Sequence, residues 1–538
     1  MTEAHLGPAV TTGRGFYVRQ STGLVREIGL SSNVVINISA MSIPLALLVA
    51  TQGPFAFPGS NLPLVIVFTV AICLIPTLMY GWLGTAMPRS GGDYVFVSRI
   101  INPVIGFAAN FNITTWYVLF MAQFAALIAP LGIGAAFTTI GVSTHNASLV
   151  TAAATVSSHN WEFGIGLATL VISAVLMSLR VSSWTRIVVI LFALSLIGVL
   201  IALILTAIHG RADFQANLAR FGGHYAAMVT AAHKAGYTGG GFSLANTFNA
   251  TPLAFATFGY AFSSVYAAGE IRSPRRTMMK AFLLALGISG VVVFVLFLLA
   301  ARTFGQEFLG SATYLANFAP KSYPLATPPF YFLFVAILTH SSFVIAVMGI
   351  SFVIAFFIVF PITFLIASRN LFAWSFDRIL PSKVADVNER THSPVIANAI
   401  ILIVAALFMA FVVYGPSAFL TLVYTAGAAE LLTFVVVAIC AVAFPWRRRE
   451  LYQGSPAAAS KWFGVPAITV VGALSLVIYI YFLIQLLTND TLGANGTPGL
   501  VAMTIVAVLP FVIYAISYLV NRRRGVDLGI AFRELPPE

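Results

Sequence analysis

Residues 30–51 read LSSNVVINISAMSIPLALLVAT, an apolar run interrupted near its middle by Ser39, Ser42 and Pro44. A helix needs about 20 mostly apolar residues to cross a hydrocarbon core, so the run has the length of a membrane span. Pro44 has no backbone N–H to donate and strains the turn before it, and Asn33 and Asn37 add polar groups. Backbone freed from helical bonding at membrane depth is tolerated only where it is buried in protein or lines a cavity. Ser39, Ala40, Met41, Ser42 and Ile43 are therefore where the helix is expected to unwind, and they form the first half of a candidate solute site. The plainer reading of the same residues is a proline-kinked helix with no ligand.

Working outward, eleven further stretches have the same character: 62–86, 103–130, 162–180, 186–208, 251–268, 278–302, 329–365, 394–413, 417–443, 465–488 and 497–520. The stretch 329–365 is longer than one span and is expected to continue as a helix beyond the membrane. None alternates apolar and polar residues as barrel strands do, so the fold class is an all-α polytopic membrane protein with about twelve transmembrane helices. The composition agrees. Of 538 residues, 59% are hydrophobic and only 8% charged, against about 25% in an ordinary soluble domain. So few charges could not cover a water-soluble surface of this size, and the lipid bilayer is the implied partner. Cys73 and Cys440 sit inside apolar runs and offer neither a disulfide framework nor metal-ligand spacing.

The net charge of +12 invites a nucleic-acid reading, but the placement of the charges argues against one. With a cytoplasmic N-terminus, 23 of the 28 Lys and Arg residues fall on the inner side. The outer side keeps Arg211, Arg220, Lys234, Arg302 and Lys321. Such a bias orients a multi-pass protein, and one miscounted span would scramble it. The charge is thus mainly a topology signal, with both termini cytoplasmic and the plasma membrane the expected location.

The first ten stretches divide into blocks of five, 29–208 and 251–443. They are flanked by a cytoplasmic N-terminal segment 1–28, an extracellular loop 209–250, a cytoplasmic loop 444–464, an appended pair of helices 465–520 and a cytoplasmic tail 521–538. An odd number of spans per block makes the second enter the membrane from the opposite side to the first. Two such blocks, if homologous, form an inverted repeat around a midplane site. The loop 209–250, rich in Gly, is expected to hold a short external helix and a flexible lid, and 131–160 reads as an uncharged outer loop.

The sixth stretch supplies the counterpart to the first interruption. Phe258, Gly259, Tyr260, Ala261 and Phe262 place a glycine among aromatics, where the backbone can break and a ring can close over a solute. A close helix–helix contact at Gly259 is the simpler alternative. The two candidates stand at corresponding places in the two blocks.

Three loops then carry a family signature. Pro88-Arg89-Ser90-Gly91-Gly92-Asp93-Tyr94 follows the second span and Glu270-Ile271-Arg272-Ser273-Pro274-Arg275-Arg276 follows the sixth. Ser368-Arg369 and, further on, Asp377 and Pro381 follow the eighth. Taken in order, these resemble the amino acid–polyamine–organocation superfamily, in particular its amino acid permeases, over about 25–520. The resemblance implies a LeuT-like 5+5 inverted repeat plus two extra helices. In that fold the breaks in helices one and six hold an amino acid substrate by its α-amino and α-carboxyl groups. Freed carbonyls suit the ammonium, and a helix N-terminus suits the carboxylate. The chain departs from the pattern in two places. The first helix has Ser39-Ala40-Met41-Ser42 in place of a Gly-rich break, and Phe262 stands where many members carry Glu. Some proton-coupled relatives use a Lys in helix five; here that helix has Arg186 at its cytoplasmic end and no Lys.

Ionisable residues inside spans are costly and mark function by default. Glu430 lies mid-span and is a candidate for coupling transport to H+ or for touching substrate; a hydrogen-bonded carboxyl between helices is the alternative. His340, with Ser341 and Ser342, is a second coupling candidate. Asp93, Glu270 and Asp377, with Arg89 and Arg275, are candidates for a cytoplasmic gate of ion pairs, or for a static layer that fixes topology. The expected function is secondary active transport of amino acids, proton-coupled or by exchange. Alternatives are a polyamine or organocation carrier, and a sensor or partner on a transporter fold. An enzyme is not expected: no nucleophile–base pair, metal spacing or P-loop stands out, and no cofactor is implied. The oligomeric state is left open.

Overall fold

The computed structural model describes residues 23–415, 422–462, 464–489 and 496–526, together with Leu528 and Phe532. Most of the expected terminal segments 1–28 and 521–538 lies outside the described residues. The first interrupted run forms α1 (Leu30–Met41) and α2 (Ile43–Ala56). Then come α3 (Leu62–Ala86), α4 (Asp93–Ile100), α5 (Pro103–Leu127), α6 (His159–Met177) and α7 (Val181–Ile208). The second block holds α8 (Thr251–Phe258), α9 (Pro274–Thr303), α10 (Ser342–Phe357), α11 (Val359–Phe376), α12 (Val395–Tyr414) and α13 (Leu422–Arg447). The last two are α14 (Ala467–Thr488) and α15 (Thr497–Arg523).

Local chemistry sets several of these boundaries. Asn61 accepts a hydrogen bond from the Leu64 N–H at 3.1 Å, with Pro63 following, and so starts α3. Asn102 does the same for α5 through the Val104 N–H at 2.8 Å, followed by Pro103. Between them, Gly91 and Gly92 have positive φ of 101° and 45°, and both lack room for a side chain. A Cβ at Gly91 would come within 2.6 Å of the Ala373 Cβ, and one at Gly92 within 2.7 Å of the Tyr266 ring. The pair allows the tight turn into α4 and a close approach to α11 and to the chain beyond α8.

Among the described residues, ten helical stretches are long and apolar enough to cross a membrane. The two expected spans missing from that set, 30–51 and 251–268, are those the structure divides into shorter pieces. Ile190, Leu200, Ile204, Val291, Val477 and Ile505 stand exposed on the outside of the bundle. An apolar surface of that extent suits hydrocarbon and not water. Inside, α3 packs along α9, α5 against α11, α12 and α13, α6 against α11 and α12, and α7 against α10. The helix α1 lies on α9, while α8 lies on α3. The appended α14 packs on α13 and α3, and α15 on α5 and α13.

Buried amides knit these contacts, as polar side chains do between helices in lipid. Trp374 donates through Nε1 to the Asn110 Oδ1 at 2.8 Å, and the Asn370 Nδ2 donates to the Thr114 Oγ1 at 2.8 Å, joining α11 to α5. The Asn112 Nδ2 donates to the Ala429 carbonyl at 2.7 Å and to the Thr433 Oγ1 at 3.0 Å, joining α5 to α13.

Three expectations need correction. The stretch 329–365 is not one continuous helix: a short buried helix Tyr331–Ile337 ends before Leu338–Ser341, and α10 starts at Ser342. The Ser341 Oγ caps α10 by accepting from the Val344 N–H at 3.4 Å, which is why the chain restarts there. The helical continuation lies instead at the other end, where α11 runs on to Phe376. The stretch 131–160, expected as an uncharged outer loop, is largely helical, with α5 extended through a π-turn segment Ile128–Gly134 into Ala135–Ser143 and followed by Ala147–Val156. The segment 209–250 holds three short helices, Arg211–Leu218, Tyr225–Lys234 and Leu244–Asn249, where one was expected. They are pinned by Tyr237, whose hydroxyl donates to the Pro54 carbonyl at 2.8 Å, and by His233 at 2.9 Å from Glu307.

Candidate functional site

The two interrupted helices meet at the centre of the bundle. Between α1 and α2 the only non-helical residue is Ser42, at φ 51° and ψ 91°. Pro44 cannot donate to the Ala40 carbonyl four residues back, so the helical ladder is broken just where the backbone turns. The second interruption begins after Phe258. Residues 259–262 form turns, short 3-10 segments follow at Ser263–Tyr266 and Ala268–Glu270, and α9 starts at Pro274. Asn37 ties the two breaks together: its Oδ1 accepts from the Ser264 N–H at 2.8 Å and its Nδ2 donates to the Ser264 Oγ at 3.0 Å.

A cavity opens beside this junction. Ala40 and Ser42 line it from the first break, Tyr260 and Ser263 from the second, Tyr117 and Phe120 from α5, Thr363 and Ile366 from α11 and Glu430 from α13. The hydroxyl of Tyr260 donates to the Glu430 Oε2, and Glu430 is only 4% exposed. The bond from Asn112 to the neighbouring Ala429 carbonyl holds this part of α13 against α5. Ser42 also borders a second, more apolar cavity, shared by Ser39 and Ile43 with Phe192 and Ser195 of α7 and Ser351 of α10.

The sequence-derived candidates therefore divide. Ala40, Ser42, Tyr260 and Glu430 come together around one cavity, and Ser39 and Ile43 lie around its neighbour. Met41, Phe258 and Ala261 are buried in packing and border neither. Phe262 does not close over the cavity: its ring stacks on Tyr80 at 3.6 Å and meets Phe434 edge-on at 5.9 Å. Gly259 has φ −63°, so glycine's freedom at positive φ is not used there; what its missing Cβ spares is a 2.8 Å approach to the Phe255 ring. His340, Ser341 and Ser342 are exposed in the turn that starts α10 and do not border the cavity.

Below the breaks lies a layer of ion pairs with different partners from those expected. Glu270 is held by Arg369 of α11, whose Nε and Nη2 donate to the two carboxylate oxygens at 2.5 and 3.1 Å, with both side chains fully buried. Arg275 is exposed and not part of this pair. Asp377 pairs with Arg99 of α4 at 2.6 Å and accepts from the Tyr94 hydroxyl at 2.7 Å. Phe532 covers this pair, its ring 5.0 Å from the Arg99 guanidinium. Asp93 has no arginine partner among the described residues; the Tyr266 hydroxyl donates to its Oδ2. Arg89 donates to the Pro88 carbonyl at 3.3 Å. Backbone bridges complete the layer, with Ile28 beside Ile271 and Ser90 beside Ala267.

Asn112, Tyr117, Arg99 and Arg369 were missed as site residues. Asn112 and Tyr117 could have been found as polar groups inside the third apolar run. The two arginines could not be paired, because their partners lie 99 and 278 residues away in the chain.

An apolar helical bundle with two interrupted helices around a central cavity defines a multi-pass membrane protein of the carrier type. A model of the family described as "Amino acid permease" matches residues 34–529, and the chain belongs to the amino acid permease family. No curated protein is similar enough to count as a relative.

Proposed function

We propose that the chain is a secondary active transporter that moves amino acids across the plasma membrane by alternating access, with both termini cytoplasmic. The arrangement is read as twelve spans in a LeuT-like 5+5 inverted repeat with α14 and α15 appended. Its support is a symmetry of contacts: exchanging the blocks turns α1-on-α9 into α8-on-α3, α5-on-α12 into α11-on-α6, and α7-on-α10 into α13-on-α5, and all six packings are present.

The observation that carries the functional reading is the convergence of both breaks and Glu430 on one cavity. The N-terminus of α2 suits a substrate carboxylate, and the C-terminal carbonyls of α1 and α8 suit an ammonium. Ser42 and Tyr260 flank that space, while Phe120, Ile362 and Ile366 offer apolar contact to a substrate side chain. Glu430, which has no ion pair among the described residues, is the group assigned to proton coupling. The ion-pair layer of Glu270–Arg369 and Asp377–Arg99 acts as the cytoplasmic gate, which parts when the cavity opens inward.

A second reading has its own support. Among the described residues Glu430 is the only charged one lining the cavity, so a polyamine or other organocation is the runner-up substrate. Uptake of labelled amino acids and polyamines into proteoliposomes, with and without a proton or sodium gradient, decides between them. Saturable uptake of zwitterionic amino acids supports the first reading. A preference for diamines that is lost in Glu430→Gln supports the second, and no uptake or exchange of any compound removes both.

A further inference from the structure

Two buried acids in this protein have phenols where the other buried acids have arginines. Glu430 at the cavity accepts from Tyr260, and Asp93 at the start of α4 accepts from Tyr266. Among the described residues neither acid makes an ion pair, whereas Glu270 and Asp377 are each held by a guanidinium.

Tyr117 of α5 stands between the two phenol–carboxylate pairs. Its ring centroid is 6.0 Å from that of Tyr260 and 6.2 Å from that of Tyr266. Its hydroxyl is buried and lies within reach of Tyr266, with Glu430 and Asp93 nearby. The other groups facing this line are the Tyr80 hydroxyl beside Asp93, then Tyr479 and Cys440; no cation is among them.

We infer that Glu430, Tyr260, Tyr117, Tyr266 and Asp93 form a proton relay joining the central cavity to the cytoplasmic layer, with Tyr117 as the link that completes it. This rests on the proton-coupled reading above and adds the route. In one transfer each phenol oxygen takes up one proton and gives up one. The net result is that the Glu430 carboxyl loses a proton and the Asp93 carboxylate gains it; no electron moves and every phenol ends neutral. A small swing of the Tyr117 hydroxyl between Tyr266 and Tyr260, whose rings lie at similar distances on either side, opens or closes the line. Asp93 lies outside the membrane-spanning helices and suits the receiving end. Burial pushes its carboxyl up to about 6, against the lowering effect of the Tyr266 and Tyr80 hydroxyls, so it can both take and release a proton near neutral pH. Guanidinium partners in its place would hold it ionised.

The experiment uses the full-length protein in proteoliposomes and reads two quantities: substrate-induced proton movement with a pH-sensitive dye, and exchange of labelled for unlabelled amino acid at equal pH. Tyr266→Phe and Asp93→Asn, at residues that do not line the cavity, are expected to keep exchange within about twofold and to lose proton movement and gradient-driven accumulation. Tyr117→Phe is expected to lose proton movement as well. If wild-type protein moves protons and these variants move them equally per substrate, the relay is overturned while proton coupling stands. If wild-type protein exchanges substrate but moves no proton, the coupling reading and the relay fall together. Should one variant fail to fold, which thermal unfolding in detergent reveals, the other two read the same quantities.

Discussion

The clamped acids of the ion-pair layer and the acids on the line of phenols that runs from that layer to the central cavity are all buried, yet they are treated in opposite ways. Glu270 and Asp377 are clamped by Arg369 and Arg99, with every side chain close to fully buried. Glu430 and Asp93 accept hydrogen bonds from Tyr260 and Tyr266. A guanidinium partner fixes a carboxylate in its charged form and joins two segments across the bundle. A phenol partner satisfies the oxygen without deciding the charge. The first arrangement can hold a gate shut, and the second can exchange a proton.

That contrast can be broken at several points. Arg369→Ala leaves Glu270 charged and unpaired inside the protein, and is expected to cost about 3–5 kcal/mol, seen as a large fall in thermal stability in detergent. An unchanged melting temperature would mean the pair is not the clamp described. Asn37→Ala cuts both hydrogen bonds between the broken helices. It is expected to cost roughly 1–3 kcal/mol, with weakened substrate affinity in a binding assay, because the Ser264 N–H loses its acceptor. Ser42→Gly acts in the other direction. It relieves a positive φ of 51°, which outweighs glycine's extra chain entropy, and is expected to stabilise by about 1 kcal/mol. Glu430→Gln should move stability least, by less than about 1 kcal/mol, because the amide oxygen still accepts from Tyr260. The same substitution should abolish gradient-driven accumulation in proteoliposomes. A Glu430→Gln protein that accumulates substrate normally would show that the cavity acid has no part in coupling.

Gly259 sharpens the comparison from the side of the backbone. A Val there would have to displace the Phe255 ring. Transport by Gly259→Val equal to that of the wild type would mean that the turn after α8 tolerates rearrangement and does not position Tyr260.

Much of this was legible in the chain. Long apolar runs, the serines Ser39 and Ser42 before Pro44 and a Gly set among aromatics give spans and candidate breaks, because hydrophobicity and backbone chemistry act over a few residues. Ser42 and Phe258–Phe262 are where the helical ladder stops. The coupling candidates His340, Ser341 and Ser342 illustrate the limit. Their apolar flanks on both sides read as one span, but the Ser341 cap restarts the helix and leaves them exposed.

Which aromatic faces the cavity was equally hidden. Phe258, Tyr260 and Phe262 look alike in the chain, and only the stacking of Phe262 on Tyr80 singles out Tyr260. Neighbouring arginines such as Arg275, five residues on, are the partners the chain suggests for Glu270, whereas Arg369 reaches it from another helix.

The sequence by itself determined the membrane class, the family and the two places where helices could not continue. Each of those depends on composition, on motifs read along the chain or on a local loss of hydrogen bonding. Only the tertiary structure decided which acid meets an arginine and which a tyrosine, since those pairings join residues up to 283 positions apart. In a low-dielectric interior it is the partner, more than the residue type, that sets what a carboxyl can do.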